Sequence, residues 1–241
     1  MSATRRRFVV AGLAVLVAAA LFWVWASQTR GPYVPPRRNA AFWRRRTSSP
    51  ESRIKAQAFR QLARRNDREG IEAITTALRS DESGFVRAVA AECLGTVKSK
   101  QHVPLLKSAL NDKDTRVSDA AVQALGKVAG KEAFDALVGA IDEKNEHKTV
   151  MITLALPSFQ TNESEDVLIK LLDSRSAWIR WRTIRALIKV GTQRCVPRLK
   201  QLEGNPLGGT DYERPQFKKH EISGIVSRML ADARTFYGCV D

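Results

Sequence analysis

The side chains best suited to hold a metal or serve as a nucleophile are three histidines, His102, His147 and His220, and three cysteines, Cys93, Cys195 and Cys239. Their spacing supports neither role, because no His-x-x-x-His or Cys-x-x-Cys pair occurs. Cys93 lies inside an apolar helical pattern, the setting of a small buried hydrophobe. Cys195 and Cys239 can pair only in an oxidising compartment. Glu163 and Glu165 form a close acid pair, and their place at a helix start accounts for them through the helix dipole. No glycine-rich phosphate loop follows a strand, since no strand pattern is present. The reading is of a protein that is not an enzyme and carries no cofactor or metal.

A second kind of chemistry, recognition, is concentrated in residues 178–191, WIRWRTIRALIKVG. Exposed Trp and Arg are enriched where proteins bind one another. Which of these side chains faces outward depends on the elements that carry them, and those elements repeat. Residues 85–95 (FVRAVAAECLG) align with residues 116–126 (RVSDAAVQALG) at a spacing of 31, and two further periods bring Val117 to Ile179 and Leu125 to Leu187. Val103-Pro104-x-Leu106-Lys107 returns three periods on as Val196-Pro197-x-Leu199-Lys200. Each unit holds two apolar stripes at helical spacing, such as Val103, Leu106, Leu110 and then Val117, Ala121, Leu125. Polar breaks such as Asn111-Asp112-Lys113-Asp114 supply turns and caps. A glycine after the second helix, Gly95 or Gly126, suits a left-handed C-terminal position. A single hairpin of two helices cannot bury its stripe, so neighbours must stack. The expected fold is all-α, an α-solenoid of about five helical hairpins over residues 51–203.

These units resemble HEAT repeats, in particular the bacterial HEAT-like type of the phycobilisome lyases. The marks of that family are an Asp at the inter-helix turn, Val-Arg opening the second helix and Leu-Gly closing it. Asp81, Val86-Arg87 and Leu94-Gly95 carry all of them, and Ile179-Arg180 with Leu187 carries part. Val117 is followed by Ser118, and residues 148–157 lack the marks, with Pro157 expected to shorten their helix. The resemblance implies a fold more than a function, because such solenoids serve as scaffolds, lyases and DNA glycosylases alike.

In HEAT-type solenoids the second helices line the concave face. The alignment then places Trp178 with Phe85 in the core. Trp181 falls in the column of Ala88, Asp119 and Val150, and Arg185 in that of Glu92, Gln123 and Leu154. Val150, Leu154, Trp181 and Arg185 are the expected partner-binding patch, with a protein or peptide as the partner.

The termini differ from the repeats. Residues 8–26 (FVVAGLAVLVAAALFWVWA) carry no charge and are long enough to span a bilayer as one transmembrane helix. They are read as a membrane anchor or a cleaved signal over residues 1–26, because a basic start and apolar centre serve both. Thr4-Arg5-Arg6-Arg7-Phe8-Val9-Val10 is similar to a twin-arginine export signal but lacks its usual lysine. This layout favours a single-pass protein with its repeats outside the cytoplasm, in the periplasm, although the arginines after the segment favour the opposite side. A basic Pro/Arg-rich linker over residues 27–50 places Arg30, Arg37, Arg38, Trp43, Arg44, Arg45 and Arg46 near anionic headgroups. At the other end, residues 204–214 (GNPLGGTDYER) are a loop, and residues 215–237 are a helix that caps the solenoid, the two making up a segment over 204–241.

The formal net charge of +15 invites a nucleic-acid partner. Residues 1–50, however, hold nine arginines and no acid, leaving +6 for the rest. With Glu92 and Asp119 in the columns that a glycosylase would line with cations, the repeats lack a continuous basic stripe. The reading is a scaffold or adaptor, with a nucleic-acid-binding protein or a lyase-like enzyme as the alternatives.

Overall fold

The computed structural model describes residues 39–190 and 192–202, and every regular element among them is helical. The proposed transmembrane helix, the linker up to Arg38, Cys239 and the C-terminal capping helix all lie outside these residues. The chain divides into two units after Asn39, and the helices described belong to the unit that begins at Ala40.

Eleven helices succeed one another among the described residues: α1 Ala40–Arg44, α2 Ser52–Arg64, α3 Arg68–Ser80, α4 Gly84–Val97, α5 Val103–Ala109, α6 Thr115–Val128, α7 Lys131–Val138, α8 Glu146–Ala155, α9 Asn162–Leu171, α10 Ala177–Val190 and α11 Val196–Leu202. Short 3₁₀ turns, Lys100–His102 and Gln193–Cys195, lead into α5 and α11. The helices α4, α6, α8 and α10 begin 31 residues apart, at Gly84, Thr115, Glu146 and Ala177. The first members of the hairpins keep the same step from Lys100 through Lys131 and Asn162 to Gln193. Hairpins α3–α4, α5–α6, α7–α8 and α9–α10 follow α1–α2, so the expected count of about five holds. Helix α8 stops at Ala155 and passes into a 3₁₀ turn, Leu156–Ser158, as the ring of Pro157 requires.

Two ladders of leucine make the core. Leu106, Leu137, Leu168 and Leu199 are buried along the first helices, and Leu94, Leu125, Leu156 and Leu187 along the second layer. Each such side chain stabilises the stack by about 2 kcal/mol through removal from water. The second helices pack on one another in sequence, α2 on α4, α4 on α6, α6 on α8 and α8 on α10. Small residues bring them close. A Cβ on Gly95 would lie 2.6 Å from the Cα of Ala124. This corrects the expected role of the Leu-Gly mark: Gly95 and Gly126 lie within α4 and α6, and the left-handed positions are Lys98 (φ 57°), Ala129 (φ 56°) and Gly130 (φ 89°). Gly95 is needed for contact between helices and not for a turn.

The turn inside each hairpin is held by one column of side chains. Arg87 donates from Nη1 to the carbonyls of Asp81 and Glu82, Ser118 to that of Leu110, Thr149 to that of Asp142, and Arg180 to those of Ser174 and Arg175. All four are buried, so each satisfies carbonyls that have no helical partner. The turn residue itself closes the next step. Asp81, Asp112, Asp142 and Ser174 each accept from the backbone N–H two residues on. The family mark Val-Arg is therefore one solution to a requirement that Ser118 and Thr149 meet with shorter side chains.

At the N-terminal end the structure departs from the linker reading. Ala40–Arg44 is helical, and Trp43 is buried with Ala58 and Leu62 as a small core of its own. Arg44 forms a two-point bond to Asp67, at 2.9 and 2.6 Å, and reaches Glu69 at 2.9 Å. The Arg46 guanidinium lies 3.7 Å from the centre of the Phe42 ring. Trp43 thus belongs to the first hairpin and is not available to a lipid surface, and Arg44 is engaged by acids of α3.

Candidate functional site

The outer row of the second-helix layer is formed by residues that the 31-residue step brings into line. Reading along the stack, one column runs Phe85, Arg116, His147, Trp178 and a second Ala88, Asp119, Val150, Trp181. A third runs Glu92, Gln123, Leu154, Arg185 and a fourth Thr96, Lys127, Ser158, Lys189. The row is polar at α6 and mixed at α4, where the exposed Phe85 and the half-buried Ala88 stand with Glu92 and Thr96. It becomes apolar, aromatic and basic at α8 and α10.

Of the four patch residues expected from sequence, Leu154 is 43% exposed and Arg185 is exposed, while Trp181 is half-buried. Val150 is 2% exposed and belongs to the core. Its column is only half-accessible wherever it occurs, as Ala88 and Asp119 show, and a compact valine there is covered. The placing of Phe85 in the core is also corrected, because it is 37% exposed; its counterpart Trp178 is half-buried. The exposed members are therefore Leu154 and Arg185, beside Trp178 and Trp181, which are half-buried and pack in part against the core.

Two guanidinium groups lie near the Trp181 ring, Arg182 at 4.8 Å and Arg185 at 5.0 Å from its centre. Such contacts orient the planar cations against the ring face and leave their N–H edges directed away from it. The Nε of Arg182 is buried with no hydrogen-bond partner among the described residues.

Sequence reasoning missed a polar feature of the same row. His147 Nε2 lies 3.0 and 2.9 Å from the two carboxylate oxygens of Asp119, one repeat back. The 28-residue separation follows from the period, and it could have been found by comparing α8 with α6. Beside it Lys148 Nζ donates to Asn111 Oδ1 at 3.0 Å. Glu163 and Glu165 separate in role. Glu165 is buried and accepts from the Thr192 N–H at 2.7 Å, whereas Glu163 lies exposed near Lys131. His102 is buried, and burial lowers the pKa of its ring. Burial also raises the thiol of Cys93 to about 12 and that of Cys195 to about 11, so both are poor nucleophiles. Among the described residues no three His, Cys, Asp or Glu side chains converge to hold a metal ion.

Residues 77–151 match the family model of HEAT repeats. Over those residues the chain is similar to HEAT repeats. A similar fold is seen in a solved engineered protein of the Northeast Structural Genomics Consortium, 19% identical, with 81% of this chain and 96% of that one covered at a TM-score of 0.51. A chain from the complex of CpcE and CpcF of phycocyanin lyase from Nostoc sp. PCC7120 is 15% identical, covering 84% and 97%, at 0.42. A computationally designed armadillo repeat protein for modular peptide recognition is 16% identical, covering 81% and 99%, at 0.46. At these identities the likeness concerns the fold alone. No curated protein matches the sequence.

Proposed function

We propose that this chain is a membrane-tethered HEAT-repeat scaffold that binds a partner protein through the second-helix face at α8 and α10, without catalysis. The observation that carries the reading is the row of Leu154, Trp178, Trp181 and Arg185 on two adjacent packed helices. Aromatic and arginine side chains on a rigid platform lose little conformational freedom on binding, so a contact there gains more than a flexible one. The apolar run of residues 8–26 supports the tether and its signal-like layout supports a periplasmic repeat body. Among the described residues no helix is long and apolar enough to cross a membrane, so the tether rests on that run. Arg30, Arg37 and Arg38, with exposed Arg45, remain the candidates to face headgroups.

Proximity labelling from the repeat body in intact cells tests both halves at once. The expected outcome is a small set of extracytoplasmic proteins whose labelling falls when Leu154→Ala and Trp181→Ala are combined. Alkaline extraction should leave the chain in the membrane fraction, and removal of residues 1–26 should release it. Unchanged labelling by the double variant would sink the partner-binding reading, and extraction of the intact chain would sink the tether.

A further inference from the structure

The stretch around α10 is unusual in charge. Between Ser174 and Cys195 there are six cations, Arg175, Arg180, Arg182, Arg185, Lys189 and Arg194, and no acid. Two of them are used within the fold. Arg180 closes its own turn, and Arg194 is bound to Asp166 and lies 4.0 Å from Glu165. Arg182, Arg185 and Lys189 have no acidic side chain at ion-pair distance among the described residues. In the second layer nearer the N-terminus Lys55 meets Asp81, Arg60 meets Glu92 and Arg87 meets Asp112, whereas Lys127, in the column of Lys189, has no such partner among the described residues.

The neighbouring helix adds no negative charge to the row. On α8 the side chains in line with α10 are His147, Val150, Leu154 and, past its end, Ser158; the one acid of that helix, Glu146, stands at its first position, and the carboxylate of Asp119 on α6 is bonded to His147. Arg182 and Arg185 lie near the face of Trp181, and the exposed Arg185 keeps donors free to take a carboxylate in two-point fashion. An occupant of this row must therefore supply both apolar side chains, for Leu154 and the tryptophans, and negative charge, for the three cations.

We propose that the segment bound at α8 and α10 is an acidic linear peptide in which Asp or Glu alternates with large apolar residues. The proposal rests on the partner-binding reading above and adds the chemistry of the partner to it. Charge complementarity sets its register and speeds its encounter, and the apolar contacts set its lifetime.

The test uses the full chain in mild detergent and fluorescein-labelled peptides of about fifteen residues. One mixes Glu with Leu and Phe, a second replaces Glu by Gln, and a third replaces it by Lys. The Glu peptide should bind at least about tenfold more tightly than the Gln peptide, a difference of about 1.4 kcal/mol, and the Lys peptide should not bind. Raising salt from about 50 to about 200 mM should weaken the Glu peptide several-fold. Arg185→Glu, an exposed change that leaves the core untouched, should remove most of the preference with an unchanged melting temperature. Equal binding of Glu and Gln peptides, still lost in Trp181→Ala, would overturn the acidic partner and leave the partner-binding reading intact. Binding of none of them, with cellular labelling also unaffected by Leu154→Ala and Trp181→Ala, would overturn both. A single-stranded oligonucleotide that displaces the Glu peptide at lower concentration than unlabelled peptide does would also overturn the proposal, in favour of nucleic acid.

Discussion

Arg87 shows how one side chain joins two repeats. Its Nε and Nη2 bind the carboxylate of Asp112 at 2.8 and 2.7 Å, and its Nη1 holds two carbonyls of its own turn. Arg87→Ala leaves those carbonyls without their donor and a partly buried carboxylate without its counter-charge, and urea unfolding should show a loss of about 3 kcal/mol. Arg87→Lys should recover less than half, because an ammonium lacks the planar fork. The exposed pair of Arg60 and Glu92 serves as the control, with Arg60→Ala costing under about 0.5 kcal/mol. The same bonds make stability depend on acid. Hydrogen bonds from Arg87 hold the Asp112 carboxyl below its ordinary value, and those from Arg116 hold Asp114 at about 2. A carboxylate whose folded pKa is depressed takes protons more readily when unfolded. Its contribution is complete above about pH 4 and is lost as pH falls through the folded value. The urea midpoint should therefore drop between about pH 5 and about pH 2, and Asp112→Asn should flatten that drop while lowering the plateau. In a Cys239→Ser background, Cys93 and Cys195 should resist maleimide at neutral pH until the protein is unfolded, since both thiols are buried and raised.

At the scale of the helix, the two glycines of the Leu-Gly mark make opposite predictions. Gly95→Ala forces a methyl against the backbone of α6 and should cost about 1–3 kcal/mol by overpacking. At Gly126 the nearest atom to an added Cβ is that of Ala155, 3.4 Å away, an ordinary contact. Gly126→Ala should be neutral or gain up to about 1 kcal/mol from helix propensity. Thermal melts of the two variants separate close packing from a turn requirement, which would penalise both alike. The helices themselves were legible because leucine spacing and the Asn-Asp-Lys-Asp type of break are local signals. The glycine's part was not, because Ala124 comes against Gly95 only when two repeats are stacked. Trp43 was misplaced for the same reason: it sits among arginines in a segment without apolar period, and its cover, Ala58 and Leu62, belongs to the next helix. The exposure of Leu154 and Arg185, with Trp181 half-buried beside them, was legible by column. The column reading failed at Val150, where side-chain size decided burial within a half-accessible column.

Over the whole stack, a constant step means that repeats are interchangeable in register. Excising residues 100–130, one full period, should leave a helical protein that melts cooperatively at a lower temperature. Excising residues 100–124 should give an aggregating product, because the leucine ladders no longer align. Circular dichroism and light scattering distinguish these outcomes. The period was visible in sequence because Val103-Pro104 and Val196-Pro197 are three steps apart. The structure adds that both are preceded by 3₁₀ turns, and that Arg87 and Arg180 close their turns in the same way at the same distance.

The column of Arg87, Ser118, Thr149 and Arg180 closes the turn within four of the hairpins, whereas the seams between hairpins are apolar side chains in contact with a few polar bridges, Arg87 to Asp112 and His147 to Asp119 among them. A stack built this way has stiff plates and yielding seams. Under load it should bend and twist by many slight rotations at the seams, with the angle inside each hairpin unchanged, so that the spacing between α8 and α10 is set by one seam alone and can open or close a little around whatever lies across it.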